Sequence, residues 1–191
     1  MRTILLTLCL FMGTILSAQN NVLIEIENAN AAYKVITGDF VRTQTNVAKG
    51  TSIKADGTLY IVGEDQMAQY YKAPSTDLLI INGNDFYMIR GKKTNKFNTE
   101  KNKTMRSLRN TLLYCVHGKP MVLATENGAE ITAEKKANEY EVVLISTKKT
   151  ARGYAKIVLT YDLKWKLLTK MRMDEYNGNS TVYEMNNIKT I

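Results

Sequence analysis

Catalysis needs a nucleophile, a base or a metal held by neighbouring side chains, and this sequence offers few of them. It has one histidine, His117, and two cysteines, Cys9 and Cys115. Cys115 and His117 stand two positions apart in a stretch of helical periodicity, where residues three or four apart share a side and residues two apart do not. A Cys–His nucleophile therefore lacks its geometry. Two such ligands also leave a tetrahedral zinc site half built, with no clustered carboxylates to complete it. Glu64 and Asp65 are adjacent acids, but they follow Gly63 in a polar break where carboxylates are ordinarily solvated. No phosphate-cradling loop, dinucleotide fingerprint or nucleophile elbow occurs. The residues point to a binding protein without catalytic residues, metal or cofactor.

The 191 residues carry a net charge of +8, which raises the question of nucleic acid. The basic residues are scattered, with local clusters only at Arg90-Gly91-Lys92-Lys93 and Lys148-Lys149-Thr150-Ala151-Arg152. Solvated strand faces and turns account for most of them. The sharper alternative is transient contact with a membrane, where each basic residue near anionic head groups adds on the order of 1 kcal/mol.

The first segment reads as an export leader. Arg2 precedes an apolar run from Ile4 to Leu16, and Leu16-Ser17-Ala18 ends in the small residue that signal peptidase requires. Cleavage is expected after Ala18, which leaves 19–191 as a single exported domain that carries no nucleic acid. The run is shorter than the roughly 20 residues of a membrane span; a retained anchor helix is the alternative. Cys9 sits in mid-leader, so no lipid attachment is expected. Once it is removed Cys115 is alone, no internal disulfide can form, and stability must come from packing.

Val22 to Tyr33 has helical spacing, with Leu23, Ile26, Ala29 and Tyr33 on one side. From Ile36 to Gln44 the period becomes two, which places Gly38, Phe40 and Arg42 together. Ile53 to Gly91 is a meander: Ile53–Val62, Met67–Pro74, Leu78–Ile81, then Phe86–Ile89, with Asn82-Gly83 supplying the positive φ angles of a tight hairpin. Lys93–Asn98 is a further strand. A helix to His117 carries Met105, Leu108, Leu112, Cys115 and Val116 on one stripe and is stopped by Gly118 and Pro120. The stretch 121–138 reads as loop with a short strand, plus a helical turn at Ala133–Asn138. Four strands follow: Tyr140–Thr147, Tyr154–Asp162, Leu167–Asp174 and Thr181–Ile188.

The element order Gly57-Thr58-Leu59-Tyr60, a polar break, a Tyr strand closed by Pro74, and an aliphatic strand turning at Asn82-Gly83 resembles the outer-membrane lipoprotein carrier family, the LolA type. The closing hairpin, Met171-Arg172-Met173-Asp174-Glu175 followed by Gly178-Asn179-Ser180-Thr181-Val182-Tyr183, is similar too. The resemblance implies an α+β fold, an unclosed antiparallel β half-barrel with helices covering its concave face. It also implies a monomeric periplasmic chaperone that takes lipoproteins from an inner-membrane lipoprotein-releasing transporter to an outer-membrane acceptor, their acyl chains held in a hydrophobic cavity. The residues expected to line that cavity are Tyr60, Met67, Tyr71, Ile80, Phe86 and Met88 from the meander. Met105, Leu108, Leu112 and Val116 join them from the helix, and Ile157, Leu159, Met171 and Met173 from the last strands. Methionine suits a mobile acyl chain because its thioether is flexible. Three positions depart from the family pattern. Arg42 stands where the opening strand's Phe-x-Gln has glutamine, Gly63 where a lid-latching arginine is found, and Gln69 where an aromatic precedes the proline by five. The alternatives are a binder of another lipid or glycolipid on the same fold, and an envelope sensor or interaction module without cargo.

Overall fold

The computed structural model describes residues 20–148 and 153–191. The expected leader and its cleavage point lie outside those residues, as do Lys149, Thr150, Ala151 and Arg152. Among the described residues a helix, α1, occupies 20–31. Six strands follow: β1 (Val35–Asn46), β2 (Thr51–Val62), β3 (Gln66–Ala73), β4 (Leu78–Asn82), β5 (Asp85–Arg90) and β6 (Lys93–Asn98). Then come helices α2 (Lys103–Val116) and α3 (Pro120–Asn127) and the strands β7 (Ala129–Lys135), β8 (Glu139–Ser146), β9 (Tyr154–Asp162), β10 (Leu168–Glu175) and β11 (Ser180–Thr190).

All the strands join one sheet, in the order β6-β5-β4-β3-β2-β1-β11-β10-β9-β8-β7. Each adjacent pair is antiparallel and consecutive in the chain, except that β1 pairs with β11 from Ile36 opposite Thr190 to Thr45 opposite Ser180. Two meanders are thus zipped together by the first and last strands. The free edges, β6 and β7, are successive strands separated only by the α2–α3 hairpin. The helices therefore stand where a closed barrel would have its last ladder, and the fold is the unclosed half-barrel of the α+β class.

Strand alternation gives the sheet one buried face. Leu59 and Ile61 on β2, Met67 and Tyr71 on β3, Leu79 and Ile81 on β4, and Leu159 and Tyr161 on β9 are all buried. At the centre Phe40 lies directly opposite Gly57. A Cβ on Gly57 would come within 2.6 Å of the Phe40 ring and 2.2 Å of the Tyr70 carbonyl oxygen. The ring lies across the glycine and meets Tyr71 edge-on, their centroids 5.1 Å apart. A glycine is required here by close approach of ring and strand, not by backbone conformation.

Three expectations are corrected. The stretch 121–138 contains no helical turn at Ala133–Asn138; it holds α3 and β7. Pro120 does not end the preceding helix but begins α3, where its missing N–H is no loss. Gly118, at φ +64, makes the corner between the helices. In the hairpin at Asn82–Asp85 only Gly83 takes a positive φ, +58. Asn82 is still paired with Asp85, so the turn's central residues are Gly83-Asn84, with glycine first as a II′ turn requires.

The atom that obstructs a side chain at position 57 is backbone and yields little. Gly57→Ala is therefore expected to destabilise the fold by about 1–3 kcal/mol, seen as a lower urea midpoint. An unchanged midpoint would mean that Phe40 and the β2–β3 ladder shift freely.

Candidate functional site

The α2 helix is held differently at its two ends. Its start is capped by Asn102, whose Oδ1 accepts from the Met105 N–H at 3.1 Å. Along its second half Leu112, Leu113, Cys115 and Val116 are buried against the sheet. The Tyr161 hydroxyl donates to the Cys115 carbonyl at 2.8 Å. Along the first half, by contrast, Met105 and Leu108 are only half-buried, and the attachment is polar. Arg106 Nε donates to the Thr99 carbonyl at 2.9 Å, and Arg109 Nε donates to the Gly83 carbonyl at 2.7 Å. Buried aliphatic side chains are each worth about 1.5–3 kcal/mol, and a hydrogen bond from a charged group reaches about the same only when it is desolvated; the second half has four buried apolar side chains, the first two such bonds from an exposed and a half-buried arginine. The first half of α2 is the weakly held half.

On the inner side of the sheet free volume follows that division, while an open cleft of ≈ 780 Å³ lies on the outer face between Val41, Lys54, Val158 and Arg172. Between Ile36, Leu59, Val116, Leu168 and Met185, under the packed end, the space is ≈ 10 Å³. Beside the loosely held end a cleft of ≈ 290 Å³ runs between Ser107, Glu126, Leu144, Tyr154 and Ile157. A second, of ≈ 360 Å³, is bounded by Lys103, Thr104, Leu108, Tyr154 and Glu175. A third, of ≈ 120 Å³, opens at the same mouth of the half-barrel between Arg42, Ile53, Tyr71, Leu79 and Met88. The two clefts beside α2 reach the lower end of the roughly 300–1,000 Å³ typical of small-molecule sites.

The residues singled out from sequence fall into three groups. Leu108, Ile157, Tyr71 and Met88 border the vacant clefts, and Met105 is half-buried on the same stretch of helix. Met67, Phe86, Leu112, Val116, Leu159, Met171 and Met173 belong to the packed interior. Their expected contact with an open hollow is corrected: side chains close it there. Tyr60 and Ile80 are on the other face of the sheet. Leu59 and Ile61 point inward, so Tyr60 points outward, 45% exposed, edge-on to Tyr70 at 5.6 Å. Ile80 likewise alternates with the buried Leu79 and Ile81.

Tyr154, which lines both clefts beside α2, is absent from the residues expected of the cavity. Arg42 shares the inner face with Phe40, as the period of two from Gly38 requires. Its Nη1 donates to the Tyr71 hydroxyl at 3.1 Å, and that hydroxyl donates on to Gln69 Oε1 at 3.0 Å. Burial pushes the Tyr71 phenol well above its ordinary range, against the smaller opposing pull of Arg42. Two of the three departures from the family pattern, Arg42 and Gln69, thus meet at one neutral tyrosine.

A family model described as outer membrane lipoprotein carrier protein LolA matches residues 31–191. No curated protein matches the chain in sequence. A DUF1329 family protein from Desulfovibrio piger is 9% identical across 92% of this chain and 93% of its own, with a TM-score of 0.51. A LolA superfamily protein from Nitrosomonas europaea is 8% identical across 90% of this chain and 92% of its own, with a TM-score of 0.43. Lipoprotein LppX of Mycobacterium tuberculosis is 11% identical across 88% and 95%, with a TM-score of 0.42. At these identities the likeness is one of fold, and the first of the three carries it. Among the described residues no helix is long and apolar enough to cross a membrane.

The third departure, Gly63, is followed by Glu64, which pairs with Lys119 Nζ at 3.0 Å. The β2–β3 turn thus keeps a link to the helices, made by a carboxylate reaching the α2–α3 corner. His117 is buried beside this link. Burial, and then Lys119, holds its proton affinity below the ordinary histidine value. The unfolded chain binds a proton first, near pH 6.5, so stability is full above that pH and is lost as pH falls from there toward the lowered folded pKa. Urea midpoints are expected to drop between about pH 7 and pH 5.5, above the carboxylate range near 4, and His117→Gln to flatten the drop. Equal slopes in both proteins would remove His117 as the cause.

Proposed function

This chain belongs to the family of outer membrane lipoprotein carrier proteins of the LolA type, and on that premise we propose that it is a periplasmic lipoprotein carrier. Residues 1–18 would serve as its export leader. It takes lipoproteins from an inner-membrane releasing transporter and passes them to an outer-membrane acceptor, burying their acyl chains between the curved sheet and α2. The supporting observation is the uneven hold on α2: one half packed, the other tied by Arg106 and Arg109 to carbonyls and flanked by vacant clefts. Acyl burial is worth about 0.8 kcal/mol per CH₂, so unassisted passage through water is prohibitive, and a cover that yields at one end admits chains and lets them go.

On this reading the cargo enters beside Leu108, Tyr154 and Ile157, and the first half of α2 swings outward. The sheet side of the interior keeps its packing. A second reading, a binder of another lipid on the same fold, is favoured by the guanidinium of Arg42 in the mouth. Mass spectrometry of lipids extracted from gently purified protein separates them: bound lipoprotein supports the first, free phospholipid or glycolipid the second, and an empty protein overturns both. Leu108→Glu is expected to abolish lipid retention with strand content by circular dichroism nearly unchanged. Retention at the original level would take α2 out of the site.

A further inference from the structure

The cleft at the mouth is walled by Ile53, Ala55, Leu79 and Met88 and floored by Tyr71, and Arg42 reaches into it. Arg90 lies on the same rim, but its charge is met by Asp77 at 3.4 Å. Arg42 forms no ion pair among the described residues, and residues 1–19 and 149–152 contain no Asp or Glu. Its one hydrogen-bond partner, Tyr71, is neutral and gives its own proton to Gln69. The Arg42 Nε is buried and makes no hydrogen bond at all. Only the ring face of Tyr71, 4.8 Å from the guanidinium carbon, compensates it further.

Arg42 is partly buried; a partly desolvated cation without a counter-charge is costly, and a guanidinium with free N–H groups is shaped to hold a carboxylate or phosphate. From the uncompensated Arg42, in a cleft whose other charged lining groups, Asp77 and Arg90, pair with each other, we propose that the mouth cleft binds the anionic head of a single-headed amphiphile. The Nη hydrogens that Tyr71 does not use donate to the anion's oxygens. Gln69 keeps Tyr71 turned as an acceptor toward Nη1, so the other edge of the guanidinium is left for the ligand. The attached chain runs along Leu79 and Met88. The inference rests on the lipid-binding reading and adds a ligand class to it, because the acylated cysteine of a lipoprotein brings no negative charge of its own.

The test is binding of three probes that share one chain: oleate with a carboxylate, oleoyl lysophosphatidate with a phosphate, and uncharged oleyl alcohol. Each is titrated by calorimetry into the folded protein below its micellar concentration. Wild type is expected to bind at least one anion about tenfold or more tightly than the alcohol, the size of a charge-assisted pair. The stronger of the two anions identifies the head. In Arg42→Gln that preference is expected to vanish while alcohol binding stays, and in Arg42→Lys it is partly restored, which a loss of packing alone would not do. Alcohol bound as tightly as both anions by wild type, or an unchanged preference in Arg42→Gln, overturns the anion site and leaves lipid binding standing. No binding of any probe overturns both.

Discussion

An open sheet whose two edges are successive strands sets the terms for everything else here. Closing a barrel would pair β6 with β7 and seal the interior. Instead the chain between them forms the α2–α3 hairpin, which must cover the buried face that the missing ladder leaves open. Eleven strands at about 4.8 Å spacing make a sheet some 50 Å around. The 14 residues of α2 make a rod about 21 Å long. One such helix cannot cover that surface. The remainder is either filled by large side chains from the sheet, as Phe40, Tyr140 and Tyr161 fill it, or it is left vacant.

The division between filled and vacant has a direction. At the end where α1 crosses, Asn30 Nδ2 donates to the Lys166 carbonyl at 2.7 Å, and Glu25 accepts from the Tyr140 hydroxyl at 2.9 Å and pairs with Lys166 at 3.1 Å. Ile26 and Asn30 press on Gly118, where a Cβ would come within 2.8 Å of the Asn30 amide. That end is fixed by three elements at once. Arg106 and Arg109 tie α2 to the Thr99 and Gly83 carbonyls on this same rim; the opposite rim, where Tyr154 and Glu175 border the clefts, has no counterpart of α1 among the described residues. Local opening is drawn from the regions with the fewest buried apolar contacts, and in this fold that region borders the clefts.

Much of this architecture was readable from residue order alone, because Gly, Pro and Asn punctuate the strands and the last third alternates cleanly. The limits had physical causes. Leu78-Leu79-Ile80-Ile81 is apolar on both faces, so its phase cannot be read, and Ile80 faces out. Tyr60 also faces out, and there the alternation with the buried Leu59 and Ile61 outweighs its aromatic character. The α3 helix buries only Pro120, Leu123 and Ala124, too short a stripe to register a helical period. How completely Leu112 and Val116 fill the space beneath them depends on β1, β2 and β10, far away in the chain, and no local pattern records it. Arg42 was legible by phase, on the side of Phe40, but nothing local showed that it would find Tyr71 and no carboxylate.

A filled interior is compatible with carrying a lipid only if filling and loading exclude each other. On the carrier reading the protein's own side chains and the cargo compete for one apolar face, and the affinity seen in solution is the intrinsic affinity reduced by the fraction of molecules that are open. A deep, permanently empty cavity would hold acyl chains with the full transfer free energy of every methylene, and release would then need an acceptor of equal depth. Refilling by Met105 and Leu108, on the half of α2 that swings, instead returns part of that free energy when the cargo leaves. Methionine is well suited to both states, since its unbranched side chain repacks at little strain. On that reading the packed half of α2 supplies the hinge and the loosely tied half the route, so that retention and release would be set by the same helix.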